Sequence, residues 1–152
     1  MRSYRIVREK FARDISGEGA KLYGGRWNSI GIPCIYTSTN ISLCLCEYLV
    51  NLPTYLLPSD LQLVIFELAD SNVINIDNSS LPKGWDGIPV STVSQNFGDE
   101  KLNSTEVFAF SIPSVIISQE RNIILNPRST DFSTKIKIIS VDEFKLDSRF
   151  EK

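Results

Sequence analysis

An α+β domain is the fold class this sequence predicts. Short segments rich in β-branched and large apolar residues recur along the whole chain, while only two or three stretches have helical character. Glycine and proline fall as turn punctuation throughout, with no internal repeat, low-complexity tract or linker. Residues 1–152 are therefore expected to form a single domain.

Taken in order, Tyr4 to Val7 reads as a first strand. Residues 14 to 33 carry five glycines (Gly17, Gly19, Gly24, Gly25 and Gly31) and read as one long loop, a length that in compact domains is usually functional or disordered. Cys34 to Ser38 reads as a strand. Thr39 or Asn40 is a good N-cap for a helix from Ile41 to about Asn51, which Pro53 stops. Leu61 to Leu68 reads as a central strand, followed by an extended piece at Val73 to Ile76, and both look buried. Pro82, Gly84, Gly87 and Pro89 mark a loop, after which Ser91 to Asn103 is a polar, weakly periodic helix. Val107 to Ile112, Val115 to Ile117, Asn122 to Leu125 and Ile136 to Ser140 are further strand candidates.

Composition narrows the function. The chain is 42% hydrophobic and 22% charged, an ordinary globular balance, and its apolar runs are much shorter than the ~20 residues that span a bilayer. The N-terminus lacks an export signal, so the expected location is the cytoplasm, with no membrane partner. A net charge of -2 and a pI near 5.2, with the two signs interspersed, lack the basic footprint of a nucleic-acid binder. The sequence contains no histidine, which removes the commonest general base and metal ligand; no metal is expected. Cys34, Cys44 and Cys46 are odd in number and unevenly spaced, which suits reduced, buried thiols.

Four positions carry candidate chemistry. Glu47 sits in a helix with apolar residues on nearly every face, so the helix reads as buried. An unpaired carboxylate among Leu43, Cys44 and Val50 would lose solvation worth several kcal/mol, so Glu47 needs a partner or lines a pocket, with a structural ion pair or a rim residue that reaches solvent as the bland alternative. Arg26, in G-G-R-W-N, offers a planar fork for phosphate or carboxylate where two glycines allow close backbone approach; the bland alternative is a loop arginine stacked on Trp27. Tyr36 stacks on a flat ligand or simply packs. Ser114, in S-I-P-S-V-I-I, hydrogen-bonds a ligand or caps a backbone group. G-E-G-A-K-L-Y-G-G-R lacks the strand-turn-helix context of a dinucleotide fingerprint, which rejects a Rossmann reading.

Assembled in order, these pieces resemble the RES domain, the toxin of a bacterial toxin-antitoxin pair, named for an Arg, a Glu and a Ser. The matching blocks are Y-R-I-V at 4–7, S-G-E-G-A at 16–20, G-G-R-W-N-S-I-G-I-P-C-I-Y-T-S at 24–38 and the L-C-E helix. They continue with L-P-K-G-W at 81–85, Q-N-F-G-D at 95–99, I-P-S-V-I-I-S at 112–118, N-I-I-L-N-P at 122–127 and F-K-L-D-S-R-F at 144–150. The resemblance implies that Arg26, Glu47 and Ser114 are the name-giving residues and that Tyr36 and Arg5 are further members of the active site. It implies an ADP-ribosyltransferase-like fold with a central, mostly antiparallel, split β-sheet and a few helices, and breakdown of NAD. One departure is the lack of a histidine near Arg128 or Ser129.

The chemistry agrees with these residue types. Cleaving the nicotinamide-ribose bond passes through an oxocarbenium-like state that a carboxylate stabilises, with no need of histidine or metal. In the implied site Glu47 takes that role, Arg5 and Arg26 bind the diphosphate, Tyr36 stacks on nicotinamide and Ser114 orients the carboxamide or ribose. The expected function is a toxin that depletes NAD by hydrolysis or phosphorolysis. Protein mono-ADP-ribosylation and a catalytically silent NAD-binding domain are the alternatives, and an RNA-cleaving toxin is disfavoured by the charge and by the lack of histidine. The resemblance also implies an Xre-type helix-turn-helix antitoxin as partner, with any DNA contact made through it. Oligomeric state is left open, a homodimer included.

Overall fold

The computed structural model describes residues 1–53 and 57–151. Among them seven strands form one sheet: β1 (Arg2–Arg8), β2 (Ile35–Ser38), β3 (Leu61–Leu68), β4 (Val73–Asn75), β5 (Ala109–Pro113), β6 (Arg121–Leu125) and β7 (Ile136–Glu143), in the order β4-β5-β6-β2-β1-β3-β7. Four α-helices accompany them: α1 (Glu18–Tyr23), α2 (Ile41–Val50), α3 (Thr92–Leu102) and α4 (Phe132–Lys135). Every pairing is antiparallel except β4 with β5.

The sheet is weakly joined at its middle. β1 and β3 share seven registered pairs and β2 and β6 share four, but β1 and β2 meet at the single pair Tyr4 and Ser38. Where these two strands diverge, the ladder no longer fills the gap between the halves, and the cavity described below opens there. Alternation along β5 and β6 sends side chains to both faces of the sheet. Ala109, Ile123 and Leu125 join Val64 and Phe66 in one core cluster, whereas Phe110, Ile112 and Ile124 pack with Trp27 and Leu102 in another. Each large apolar side chain buried this way contributes about 1.5–3 kcal/mol.

Several expectations are corrected. The 14–33 segment is not all loop, because α1 forms within it. Its glycines lower helix propensity, but the returning chain satisfies its carbonyls: Asn28 Nδ2 donates to the Ala20 oxygen at 2.8 Å and the Gly31 amide donates to the Lys21 oxygen at 2.8 Å. Val115 to Ile117 is a bend, not a strand, because Ser114 Oγ accepts from the amides of Ile116 and Ile117 at 3.0 and 3.2 Å and turns the chain. β3 lies second from an edge, although Leu61, Val64 and Phe66 are buried as expected. β4 is an edge strand with Ile74 exposed, since only one side of it is paired. Nor is α2 buried all round: only Leu43 and Cys44 are, while Ile41 and Val50 are exposed. Its apolar residues serve the core on one side and a cavity mouth on the other. Of the cysteines, Cys34 and Cys44 are buried and free, and Cys46 is partly exposed.

Candidate active site

A cavity of about 940 Å³ opens beside the β1/β2 junction, within the range of small-molecule clefts. Arg5 on β1, Arg26 on the loop after α1, Tyr36 on β2 and Glu47 on α2 all line it. Arg26 and Glu47, about twenty residues apart in sequence, thus share one space.

Glu47 is held by neutral donors. Ser114 Oγ donates to its Oε1 at 2.9 Å, and Asn122 Nδ2 donates to the same oxygen at 2.5 Å. No salt bridge involves Glu47 among the described residues, which removes the structural ion-pair alternative there. The start of α2 is tied to the start of β6: Asn40 Oδ1 caps the Leu43 amide at 2.7 Å while its Nδ2 donates to Glu120 at 2.7 Å, and Thr39 binds the Arg121 carbonyl through both its amide and its hydroxyl. These ties fix Glu47 relative to Asn122.

Both arginines are oriented by backbone carbonyls. Arg5 Nη1 donates to the Asp14 oxygen at 2.9 Å, and Arg26 Nη1 donates to the Trp85 and Gly87 oxygens at 2.9 and 3.0 Å. A guanidinium carries five donors, so each fork keeps N–H groups for an anion after these bonds. Burial draws the Arg5 pKa below its ordinary value, with Asp14 and Cys44 opposing, yet the group stays charged.

α3 clamps the arginine loop. Gln95 Nε2 donates to the Gly25 oxygen at 3.0 Å, and Asp99 accepts from the Ser29 amide at 2.9 Å and from its hydroxyl at 2.5 Å. Gly98 lies against the Trp27 backbone so closely that a Cβ there would overlap the Trp27 carbonyl. Trp27 is buried, with its ring stacked on Trp85 at 5.6 Å and edge-on to Phe97 at 6.0 Å. Tyr36 completes the loop: its hydroxyl accepts from the Trp27 amide at 3.0 Å and donates to Asn28 Oδ1 at 2.7 Å. Burial holds the Tyr36 phenol well above its ordinary pKa, so it remains a neutral donor.

Residues 2–147 match the family model of the RES domain. The chain belongs to the RES domain family. It is 35% identical over 150 residues to "Toxin Res" of Photorhabdus laumondii subsp. laumondii, an alignment covering 98% of this chain and 96% of that protein. It is also 35% identical over 141 residues to the "Prs ADP-ribosylating toxin" of a Sphingobium species, covering 91% and 87% respectively. Its fold is similar to one in the crystal structure of the Mycobacterium tuberculosis MbcT-MbcA toxin-antitoxin complex, with a TM-score of 0.70 at 16% identity, covering 94% of this chain and 83% of that one.

Within this RES domain, Arg5, Arg26, Tyr36 and Glu47 line one cavity. Ser114 does not line it. The serine is buried, its oxygen accepts two backbone amides, and its proton goes to Glu47. Gly25 lines the cavity, but the space its missing side chain leaves is taken by Tyr36: a Cβ there would meet the Tyr36 hydroxyl at 2.5 Å. Trp27 stacks on Trp85, not on Arg26. Asn122, Gln95, Asp99 and Gly98 escaped the sequence reading. Their signal was present in the N-I-I-L-N-P and Q-N-F-G-D blocks, but a neutral amide or a helical glycine has no pattern that announces a partner far away in sequence.

Proposed function

We propose that this chain is a toxin that depletes NAD by cleaving the bond between nicotinamide and ribose. The observation that carries this reading is Glu47, a carboxylate held by two neutral donors in the cavity that Arg5 and Arg26 also line. NAD has an anionic diphosphate and a cationic pyridinium end. The free N–H groups of the two arginines bind the diphosphate, and the ring of Tyr36 packs on the nicotinamide. The C1′–N1 bond breaks with its electron pair leaving on the pyridine nitrogen, so nicotinamide departs neutral and needs no general acid. The ribose is left as an oxocarbenium-like cation, which the Glu47 carboxylate stabilises. An oxygen of water or phosphate then attacks C1′, and the proton released from water passes to solvent. Nothing in this sequence of steps calls for histidine or a metal.

Transfer of ADP-ribose to a protein is a second reading, favoured by the 35% identity to the Prs ADP-ribosylating toxin. A helix-turn-helix antitoxin of Xre type is the proposed partner, acting in the cytoplasm where NAD is made and used. Tyr23 and Ile88, 83% and 85% exposed at the cavity mouth, supply apolar area for such a partner, and an acidic group or C-terminus of the antitoxin pairs with Arg26 and Arg5. The test is chromatography of NAD incubated with antitoxin-free protein, with and without phosphate, alongside mass spectrometry of cell proteins. Release of nicotinamide roughly 10²- to 10³-fold faster than by Glu47→Gln is expected, on the scale of losing one key electrostatic group. No nicotinamide from the parent chain would overturn the proposal, and ADP-ribose found mainly on proteins would select the second reading.

A further inference from the structure

We infer that Asn122 is a positioning residue for Glu47: its amide, aligned by Ser38, joins Ser114 in binding one carboxylate oxygen so that the other is presented to the sugar. The inference rests on the proposed NAD-cleaving reading and assigns to Asn122 a part in that same site.

Three observations carry it. First, both donors that reach Glu47 converge on Oε1, from Ser114 Oγ at 2.9 Å and Asn122 Nδ2 at 2.5 Å, and Oε2 receives none among the described residues. An ionised carboxylate accepts on both oxygens, and the one without donors keeps its electron density for a cation. Second, the orientation of each donor is determined by its other bonds. Ser114 Oγ already accepts from two backbone amides, which leaves its own proton to donate. Ser38 Oγ donates to Asn122 Oδ1 at 2.7 Å, so the opposite end of that amide, the NH₂, must face Glu47. Third, Ser38 and Asn122 are directly paired in the β2/β6 register, and both line the cavity with Glu47. The amide is therefore set by the sheet, while Glu47 comes from α2, and the bond between them fixes helix to sheet at the point where charge develops.

The consequence reverses one part of the resemblance. Ser114 acts through Glu47 and not on the substrate, and Asn122 does the same through the same carboxylate oxygen. A structural role for Asn122, confined to its bond with Ser38, makes a different prediction. Asn122→Asp keeps the shape and the acceptor for Ser38 but replaces the donor facing Glu47 by a second carboxylate oxygen. Asn122→Ala removes both bonds.

The experiment measures kcat and KM for nicotinamide release by the parent, Asn122→Asp and Asn122→Ala, with melting temperatures to register folding and a crystal structure of Asn122→Asp. The expected result is a loss of kcat of roughly 10- to 100-fold in Asn122→Ala, as for one hydrogen bond to a charged group, with KM within about threefold of the parent. Asn122→Asp should lose at least as much despite its isosteric side chain, and in its crystal structure the Glu47 carboxylate should turn away from position 122. Parent-like kcat in Asn122→Asp overturns the inference, as does a loss confined to KM. Should the parent chain itself release no nicotinamide, the NAD reading falls, and the crystal structure still decides the positioning: a Glu47 carboxylate that has not moved in the Asn122→Asp variant overturns it.

Discussion

Burial at single residues sets the state of the groups nearest the site. Desolvation pushes the thiols of Cys34 and Cys44 up to about 12 and the Tyr36 phenol well above its usual value, in each case because the charged form would be stranded away from water. The folded protein therefore holds these protons more tightly than the unfolded chain, whose thiols titrate near ~8.5. This contribution to stability is intact below about pH 8.5 and is lost as pH rises toward 12. Urea midpoints should be level from about pH 7 to about 8.5 and fall above that. Iodoacetamide at about pH 8 should leave Cys34 and Cys44 unlabelled while the fold persists; rapid labelling of either in native protein would contradict their burial as neutral thiols. These residues were legible as reduced packing thiols in the sequence. The partial exposure of Cys46 was not, because neighbouring positions on one helix differ only in which face the sheet covers.

Among the elements, α3 shows how a polar, weakly periodic helix can be indispensable. Only Ser94, Gly98 and Leu102 of it are buried, yet it clamps the loop that carries Arg26. The Asp99 carboxylate, accepting twice from Ser29, contributes about 1.5–3 kcal/mol as a charged acceptor. Gly98→Ala should destabilise the protein by about 2–3 kcal/mol or more, since the methyl group meets backbone, which cannot rotate aside. Urea denaturation reads the loss, and an unchanged midpoint would mean that α3 sits further from the loop than described. The proposed NAD cleavage should fall as well, because Arg26 sits on that loop and the Tyr36 hydroxyl is bonded to it through Trp27 and Asn28. The helix itself was readable from its residues. Its purpose was not, because Gly98 in a helix reads as a weakness until the backbone it touches is known.

For the whole molecule, the parting of β1 from β2 is what opens a cavity in the sheet. A continuous ladder would have closed the space that Arg5 and Glu47 now share. Ligand binding to that space should stabilise the fold by mass action. With Glu47→Gln, expected on the proposed function to bind NAD and consume it only slowly, NAD at about 100 times its Kd should add about 2.7 kcal/mol to the unfolding free energy. A melting temperature indifferent to millimolar NAD would remove the dinucleotide from the cavity. Adding Arg26→Ala to that variant should weaken the effect, since one of the two forks proposed for the diphosphate is then absent.

Local order was open to inspection in the residues themselves. Asn40 at a helix start, the β-branched run of β3 and the lack of histidine each act through chain neighbours or through composition, and they place an Arg, a Tyr and a Glu on a loop, a strand and a helix. Long-range pairing decided the rest. That Ser114 and Asn122 meet on a single oxygen of Glu47, that Arg26 is tied by carbonyls about sixty residues away, and that the sheet parts at Tyr4 and Ser38 depend on contacts whose partners are distant in sequence. A hydrogen bond of that kind leaves no periodicity along the chain, and only the folded arrangement of the elements selects which neutral donor faces which acid.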